Sequence, residues 1–245
     1  QAQLYEPGDV SVGEPVNTRR DYLKDKYGLR VHATNAAALD GAELTVLAVK
    51  PQSLPEVLSS LRGDVSADNT VLSIVAGARM ATLADGLDHA AVVRVMPNTP
   101  AQIGEGMTVW TATSEVPEAK VTATRDILRT LGKEVYVPDE KLIDMATALS
   151  ASGPAYVFLF IESLIDSGVY LGMARDLART LVLQTVLGTT KLVEDSGRHP
   201  ADLKDMVTSP GGTTIEALLT LEEGGFRASV MNAVISAYEK SKALG

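Results

Sequence analysis

The pattern of hydrophobic and polar positions divides the chain into two parts. In the first part, short β-rich runs alternate with helical segments, and residues 44–49 and 70–75 form almost continuous apolar runs. Such runs are typical of parallel strands covered on both faces, and the alternation predicts a doubly wound α/β domain. Further strands are expected at 9–12, at 91–96, around Val109 and at 134–137, and helices at 17–27, 53–61 and 117–131.

The second part, after Pro138, shows helical spacing throughout. Apolar residues recur at helical spacing in four places: behind Pro154, over 177–192, around 218–219 and over 230–238. Gly224-Gly225 is expected to end the third of these helices. The apolar positions surround these helices instead of forming one stripe, which is typical of buried helices and predicts an intertwined homodimer. We therefore predict an α/β domain over residues 1–138 and an all-helical domain over residues 139–245.

One expected motif is missing. A dinucleotide-binding domain normally opens with a strand, a G-x-G-x-x-G turn and a helix, and this sequence contains no such fingerprint. Residues 1–7 are expected to be the tail of a helix and a loop. We therefore expect the first strand–helix unit to be absent from the sequence; the alternative is an α/β domain without that motif.

Composition narrows the function classes. The formal net charge of −9 disfavours binding to nucleic acid and to anionic membranes. The absence of cysteine excludes a disulfide framework and a thiolate nucleophile, and fits a reducing compartment, so we expect a cytoplasmic protein. The longest fully apolar run, residues 155–161, is too short to span a bilayer. The scattered His32, His89 and His199 lack metal-ligand spacing, so no metal site is expected.

Two glycine-containing segments each open an apolar helix: Ser-Ala-Ser-Gly-Pro at 150–154 and Ser-Pro-Gly-Gly-Thr-Thr at 209–214. Glycines let a ligand approach the backbone, and the free N–H groups of a helix start bind anions. Together the segments predict a site for a small carboxylate or phosphate. The alternative is that both are ordinary N-terminal caps.

Loops at the expected carboxyl ends of strands are candidate ligand-lining segments, because open α/β sheets bind ligands at that edge. After the first strand, Glu14 is placed to read the free 2′-OH of an adenosine ribose, whereas Arg19 and Arg20 are placed to meet a 2′-phosphate. The alternative for Glu14 is an acid that complements a helix dipole. The two other such loops contain Ala48, Val49, Lys50 and Pro51, and Asn98 between two stiffening prolines.

Several motifs, taken in order, resemble pyrroline-5-carboxylate reductase: LAVKPQ at 47–52, VMPNTP at 95–100, SASGPAY at 150–156, VTSPGGTT at 207–214 and GGFR at 224–227. The resemblance runs from about Val10 to the C-terminus. It implies a Rossmann domain followed by a helical dimerisation domain, in a homodimer or in a larger oligomer built from dimers. It also implies reduction of Δ1-pyrroline-5-carboxylate to L-proline, the last step of proline synthesis, with NADPH or, alternatively, NADH.

The resemblance implies roles for individual residues. Asn35 would lie on the adenosine side, residues 48–51 along the nicotinamide and phosphate path, and Asn98 near the nicotinamide. The helix start would bind the substrate carboxylate, and the catalytic Thr214 would hydrogen-bond the ring nitrogen. The residues expected at the helix start are Ser209, Gly211, Gly212 and Thr213; those expected to line the same pocket, with the neighbouring subunit as a candidate source, are Ser152, Gly153 and Pro154.

Two other functions stay open. A related two-domain dehydrogenase of 3-hydroxy acids would carry a catalytic lysine on the helix at 154–168, which contains none. A non-catalytic nucleotide-binding or assembly module is supported only by the missing glycine turn. Hydride transfer to an imine is mainly a positioning task in which the cofactor supplies the difficult chemistry, so a reductase needs no strong acid, metal or nucleophile.

Overall fold

The structure, a computed structural model, describes residues 4–244. Its strands are β1 (Ser11–Gly13), β2 (Arg30–His32), β3 (Leu44–Leu47), β4 (Thr70–Ser73), β5 (Val92–Pro97), β6 (Gly106–Ala112) and β7 (Gly132–Tyr136). Its helices are α1 (Asn17–Tyr27), α2 (Asn35–Leu39), α3 (Leu54–Leu61), α4 (Met80–Leu87), α5 (Glu118–Arg129), α6 (Lys141–Ala146), α7 (Gly153–Tyr170), α8 (Arg175–Ser196), α9 (Pro200–Met206), α10 (Thr213–Glu223) and α11 (Phe226–Leu244).

These elements form two compact units. The first unit contains residues 4–152 and 237–244, and the second contains residues 153–236. The chain therefore passes between the units twice, at the start of α7 and within α11. The predicted domain boundary after residue 138 stays a prediction.

The first unit contains two sheets. β1 and β2 pair in parallel, and the other strands pair in the order β3-β4-β5-β6-β7. All neighbours in the larger sheet are parallel except β5 and β6, which are antiparallel. The mostly parallel arrangement confirms the predicted α/β class. The antiparallel pair was not predicted; it forms because the connection at 98–105 is shorter than the roughly dozen residues that a parallel crossover needs.

The core lies on both faces of the larger sheet. Consecutive residues of a strand point to opposite faces, so Val71 packs with α3 and α4 whereas Leu72 packs on the other side with Trp110 and Leu128. The apolar runs at 70–75 and 91–96 are therefore covered strands, as predicted. On the second face, the indole N–H of Trp110 donates to Glu134 at 2.8 Å, so the buried ring keeps its polar group satisfied.

Three local expectations differ from the structure. The run at 44–49 predicted a strand covered on both faces, but β3 pairs only with β4 among the described residues and Val46 is 52% exposed. The first strand begins at Ser11 and not at residue 9, because Pro7–Asp9 form a 3-10 turn. Of the predicted helix tail at 1–7, residues 1–3 lie outside the described residues and residues 4–6 are not helical.

The second unit has little core of its own. Among residues 153–236, Ala178 is the only buried apolar residue, and Gly168 lets α7 approach it, since a Cβ there would lie 2.8 Å from the Ala178 Cβ. Large apolar side chains on α7, α8, α10 and α11 are more than two-fifths exposed: Val157, Phe158, Leu159, Phe160, Leu177, Leu181, Leu187, Leu219, Val230, Met231 and Ile235. These side chains are therefore only partly covered within one chain.

One helical run has the length and composition of a membrane span. It extends over Lys141–Tyr170 with a mean hydropathy of 1.5 in its most apolar window, of which 6% is buried. The sequence expectation considered only uninterrupted apolar residues, whereas this run is apolar on average. Length and composition do not distinguish a membrane span from a helix whose apolar face meets another protein chain.

Candidate functional site

The carboxyl end of β1 brings Glu14 and Asn35 to the same edge of the small sheet. Glu14 N donates to His32 O at 3.0 Å, which continues the pairing of β1 with β2. A Cβ on Gly13 would lie 2.6 Å from Asn35 Oδ1, so the absence of a side chain at Gly13 permits the close approach of α2. Asn35 therefore lies against the residue that precedes Glu14 in the chain.

The acid and the two arginines near β1 have different environments. Glu14 Oε1 accepts from Val16 N at 2.9 Å, which is the helix-start role that the alternative interpretation gave to this acid. Arg20 donates to Glu14 O at 2.6 Å and also to the side chain of Asn17, so it holds the loop before α1. Arg19 is exposed, with Cζ 4.8 Å from the ring centroid of Tyr22. Arg19 is therefore the cation at this edge that faces solvent.

The loop after β3 lies at the carboxyl edge of the larger sheet. Ala48 and Lys50 are exposed, whereas Val49 packs against the core. Ser53 N donates to Lys50 O at 2.9 Å, which begins the 3-10 turn Pro51–Ser53 that leads into α3. The segment 48–51 thus has the position that was predicted for a ligand-lining loop.

Asn98 follows β5, and both the oxygen and the nitrogen of its side-chain amide form hydrogen bonds. Its Oδ1 accepts from Met107 N at 2.8 Å, which ties the loop to β6. Its Nδ2 donates to Ser150 O at 3.3 Å and to Ser150 Oγ at 3.4 Å, two long hydrogen bonds. The prolines of this loop therefore flank a side chain whose orientation is fixed.

The prediction of a free helix start at 150–154 is wrong. A π-helical turn, Thr147–Ala151, continues α6 almost to the start of α7, and Ser152 N donates to Thr147 O at 2.9 Å. The preceding turn thus already uses this N–H group, and Pro154 has none. Ser152, Gly153 and Pro154 are partly buried where the chain passes into the second unit. Their predicted contact with a ligand stays a prediction.

The segment 209–214 forms a tight turn that leads directly into α10. Gly212 N donates to Ser209 O at 3.1 Å, and Pro210 and Gly211 occupy the two central positions. Gly211 has φ +66°, which together with the preceding proline is characteristic of a type II turn. A Cβ on Gly212 would collide with Ser209 Oγ, so a side chain at this position would require the Ser209 hydroxyl to move.

The start of α10 is uncapped. The cap residue is Gly212, which has no side chain to accept from the first-turn N–H groups. Within residues 4–244, the hydroxyls of Ser209, Thr213 and Thr214 have no hydrogen-bond partner. A helix of 11 residues places a partial positive charge at this end. No side chain caps this helix start, which leaves N–H groups and hydroxyls that could bind an anion; the anion itself stays a prediction.

A buried ion cluster in the first unit was not predicted. Arg94 on β5 is 3% exposed, and its two terminal nitrogens contact Glu140 Oε1 at 2.9 Å and Asp144 Oδ1 at 2.7 Å. The only sequence signal was an arginine inside an otherwise apolar strand, since charged residues are seldom fully buried without partners. In the described part of the chain, no group of three or more His, Asp or Glu residues is placed to hold a metal ion.

Known proteins resemble this chain over nearly its whole length. Residues 140–244 match the family model of pyrroline-5-carboxylate reductase dimerisation, and residues 1–77 match that of NADP oxidoreductase, coenzyme F420-dependent. The pyrroline-5-carboxylate reductase of Synechocystis sp. is 46% identical over 99% of this chain and 90% of its own length. The enzyme of Escherichia coli is 40% identical over 97% of this chain and 88% of its own.

A solved structure shows the same relationship in three dimensions. The crystal structure of Plasmodium falciparum pyrroline carboxylate reductase with NADP bound has a TM-score of 0.91 and 35% identity, and the match covers 100% of this chain and 90% of that chain. The match at this coverage extends over both units. The chain therefore belongs to the pyrroline-5-carboxylate reductase family.

Proposed function

We propose that this chain reduces 1-pyrroline-5-carboxylate to L-proline with NADPH, the last step of proline biosynthesis. The observation that carries the proposal is the similarity to reductases of that name, at 46% and 45% identity over 99% and 100% of the chain. In this proposal residues 1–138 bind the nucleotide, and residues 139–245 bind the substrate and form the dimer. The uncapped start of α10 supports it independently, because the substrate has one carboxylate to anchor.

NADPH, when bound, supplies the hydride. The carboxyl end of β1 fits its 2′-phosphate better than the free 2′-OH of NADH, because Arg19 is an exposed cation whereas the Glu14 carboxylate is engaged by Val16 N. Asn35, which lies close to Gly13 at the end of β1, would contact the adenosine part of the cofactor. Residues 48–51 would follow the phosphates, and Asn98 would lie near the nicotinamide.

The first turn of α10 would hold the substrate. Backbone N–H groups that no side chain caps would bind the carboxylate of the pyrroline ring, together with the hydroxyls of Ser209 and Thr213. A helix start stabilises an anion by about 0.3–1 kcal/mol at the surface and up to about 2 kcal/mol when partly buried. Thr214 would donate its hydroxyl to the ring nitrogen. Ser152, Gly153 and Pro154 would line the pocket.

The second unit would bury its apolar faces in a homodimer. One buried apolar residue, Ala178, does not make a core for helices of this length, and Leu181 and Phe158 are 49% and 62% exposed. Large apolar interfaces of this kind are typical of obligate dimers. A partner subunit would also cover the apolar run at 141–170, and a larger oligomer would be built from such dimers. We further propose that the enzyme acts in the cytoplasm.

The test is a rate measurement on purified protein with matched variants. Wild type should oxidise NADPH only when pyrroline-5-carboxylate is added. Thr214→Ala should lower kcat by about 10- to 100-fold, the value of one hydrogen bond to a nitrogen that gains negative charge as hydride adds to the C=N carbon, whereas Thr214→Ser keeps the hydroxyl and most of the rate. An unchanged rate in Thr214→Ala would remove Thr214 from the mechanism, and no NADPH oxidation by the folded wild type would refute the function.

A further inference from the structure

The cluster around Arg94 connects more than three side chains. Glu140 Oε1, which contacts Arg94, also accepts from Met80 N at 2.8 Å. This bond serves the first turn of α4, which the side chain of its cap residue, Arg79, does not cap. Glu140 therefore joins β5 to the start of α4 in addition to neutralising the guanidinium.

The second carboxylate reaches the end of the chain. Asp144 Oδ1, in α6, accepts from Ser241 Oγ at 3.3 Å, and Ser241 is only 4% exposed. Next to it, Leu244 packs against Gly77 so closely that a Cβ on Gly77 would lie 2.7 Å from the Leu244 Cβ. The last turns of α11 are thus fastened to the first unit through the same carboxylate that binds Arg94.

The two segments that these contacts hold, residues 141–151 and 237–244, adjoin the points where the chain passes between the units. The first passage follows residue 152, shortly after Asp144 in α6, and the second precedes residue 237, shortly before Ser241 in α11. Arg94 on β5 therefore contacts the first segment directly and is connected to the second through Asp144. Farther along, the Asn98 contact with Ser150 attaches the end of the first segment to the loop after the same strand.

Stability alone is a poor explanation for such a cluster. Burying one guanidinium and two carboxylates carries a desolvation cost that their attraction often only balances, and apolar replacements of similar volume are frequently as stable. A geometric role explains the cluster better, since the planar fork of arginine fixes two carboxylates at once, which a lysine ammonium does not.

We propose that Arg94 is a positioning residue for the reduction, because through Glu140 and Asp144 it fixes the two segments by which the chain leaves and re-enters the first unit. The inference rests on the proposed function, in which Asn98, after β5, lies near the nicotinamide and Ser152, after the first of these segments, lines the substrate pocket. Hydride transfer is sensitive to geometry, and a misplacement of about 1 Å costs about 100-fold in rate.

The test compares Arg94→Lys with Arg129→Lys, the same substitution at a side chain that is 61% exposed. Arg94→Lys should lower kcat by about tenfold or more while the Kd for NADPH stays within about threefold, because the substitution changes position and not cofactor contacts. Amide hydrogen exchange should accelerate in both 141–151 and 237–244. Arg129→Lys should change none of these quantities.

A charge-free variant separates positioning from stability. Arg94→Met with Glu140→Gln and Asp144→Met removes the buried charges, so Tm should recover towards that of wild type while kcat stays low. Wild-type kcat in this variant or in folded Arg94→Lys, or unchanged exchange in either segment, would overturn the inference. If the proposed function is wrong, the folded wild type will oxidise no NADPH. In that case hydrogen exchange in the Arg94 variants still shows whether Arg94 holds the two segments in place.

Discussion

An artificial cap at the start of α10 should stabilise the helix and weaken substrate binding. Gly212 has φ −82° and ψ 174°, extended angles that a capping residue normally adopts, so an aspartate there would point its carboxylate at the first-turn N–H groups. A Cβ at this position collides with Ser209 Oγ. The design therefore places Gly212→Asp and Gly212→Ala in a common Ser209→Ala background, which removes that hydroxyl from both.

The two effects have opposite signs and calculable sizes. An aspartate cap stabilises a helix by about 0.5–2 kcal/mol relative to alanine, and about 1 kcal/mol corresponds to a Tm increase of about 2–4 °C in a chain of this size. The same carboxylate occupies the N–H groups proposed for the substrate carboxylate and repels that anion. Losing a charge-assisted hydrogen bond costs about 1.5–3 kcal/mol, or roughly 10- to 100-fold in KM.

Thermal unfolding and initial rates of NADPH oxidation measure both effects on the same preparations. We expect the aspartate variant to have the higher Tm and the higher KM for pyrroline-5-carboxylate, with the KM for NADPH equal in the two variants. An aspartate variant that binds the substrate as tightly as the alanine variant would refute the assignment of the carboxylate to this helix start. Equal Tm values would show that the introduced carboxylate does not cap α10.

Three further predictions concern other parts of the molecule. Arg19→Ala should raise the KM for NADPH by about threefold to tenfold and leave that for NADH unchanged, since only NADPH carries the 2′-phosphate; equal effects in initial-rate assays would contradict the assignment. Leu181→Glu should convert the dimer into a monomer in light scattering, because a charge is not tolerated in an apolar interface, and a stable dimer would contradict the proposed surface. The Lys120 ammonium lies 2.8 Å from Glu43 Oε2, and its hydrogen bond lowers the pKa of the Glu43 carboxyl. This pair therefore stabilises the protein at a pH above the carboxyl pKa of the unfolded chain. The stabilisation is lost as the pH falls through the lower carboxyl pKa of the folded protein. Lys120→Met should therefore unfold more easily than wild type at neutral pH and equally easily in acid, as measured with denaturant, and a difference that grows on acidification would be inconsistent with this pairing.

The elements that the sequence predicted correctly are those with a long local signal. The apolar runs of β4 and β5 are covered on both faces, and the glycines of 209–214 form the predicted turn into α10. β2 and α2 were not predicted, because segments of three and five residues provide little periodicity; α4 was also not predicted. The edge position of β3 also lies beyond sequence reasoning, since an apolar run does not specify how many strands flank it.

Two features of the candidate site depend on contacts that no local pattern encodes. Pro154 usually signals a helix start, but the π turn before it keeps the chain helical and uses the N–H of Ser152. Arg94 meets partners 46 and 50 residues away, so only the fold brings the three charges together. In contrast, the helix start at 209–214 is local and its residues predicted it, whereas the anion site was predicted only from this segment together with the one at 150–154.

The most direct test of the proposed function is the balance between cofactor oxidised and product formed. Purified chain is incubated with NADPH and pyrroline-5-carboxylate, and both NADPH loss and L-proline are quantified while circular dichroism verifies the fold. We predict that L-proline accumulates in equal amount to the NADPH consumed, and that neither changes without the substrate. A folded protein that forms no proline, or that consumes NADPH without forming it, would contradict the assignment.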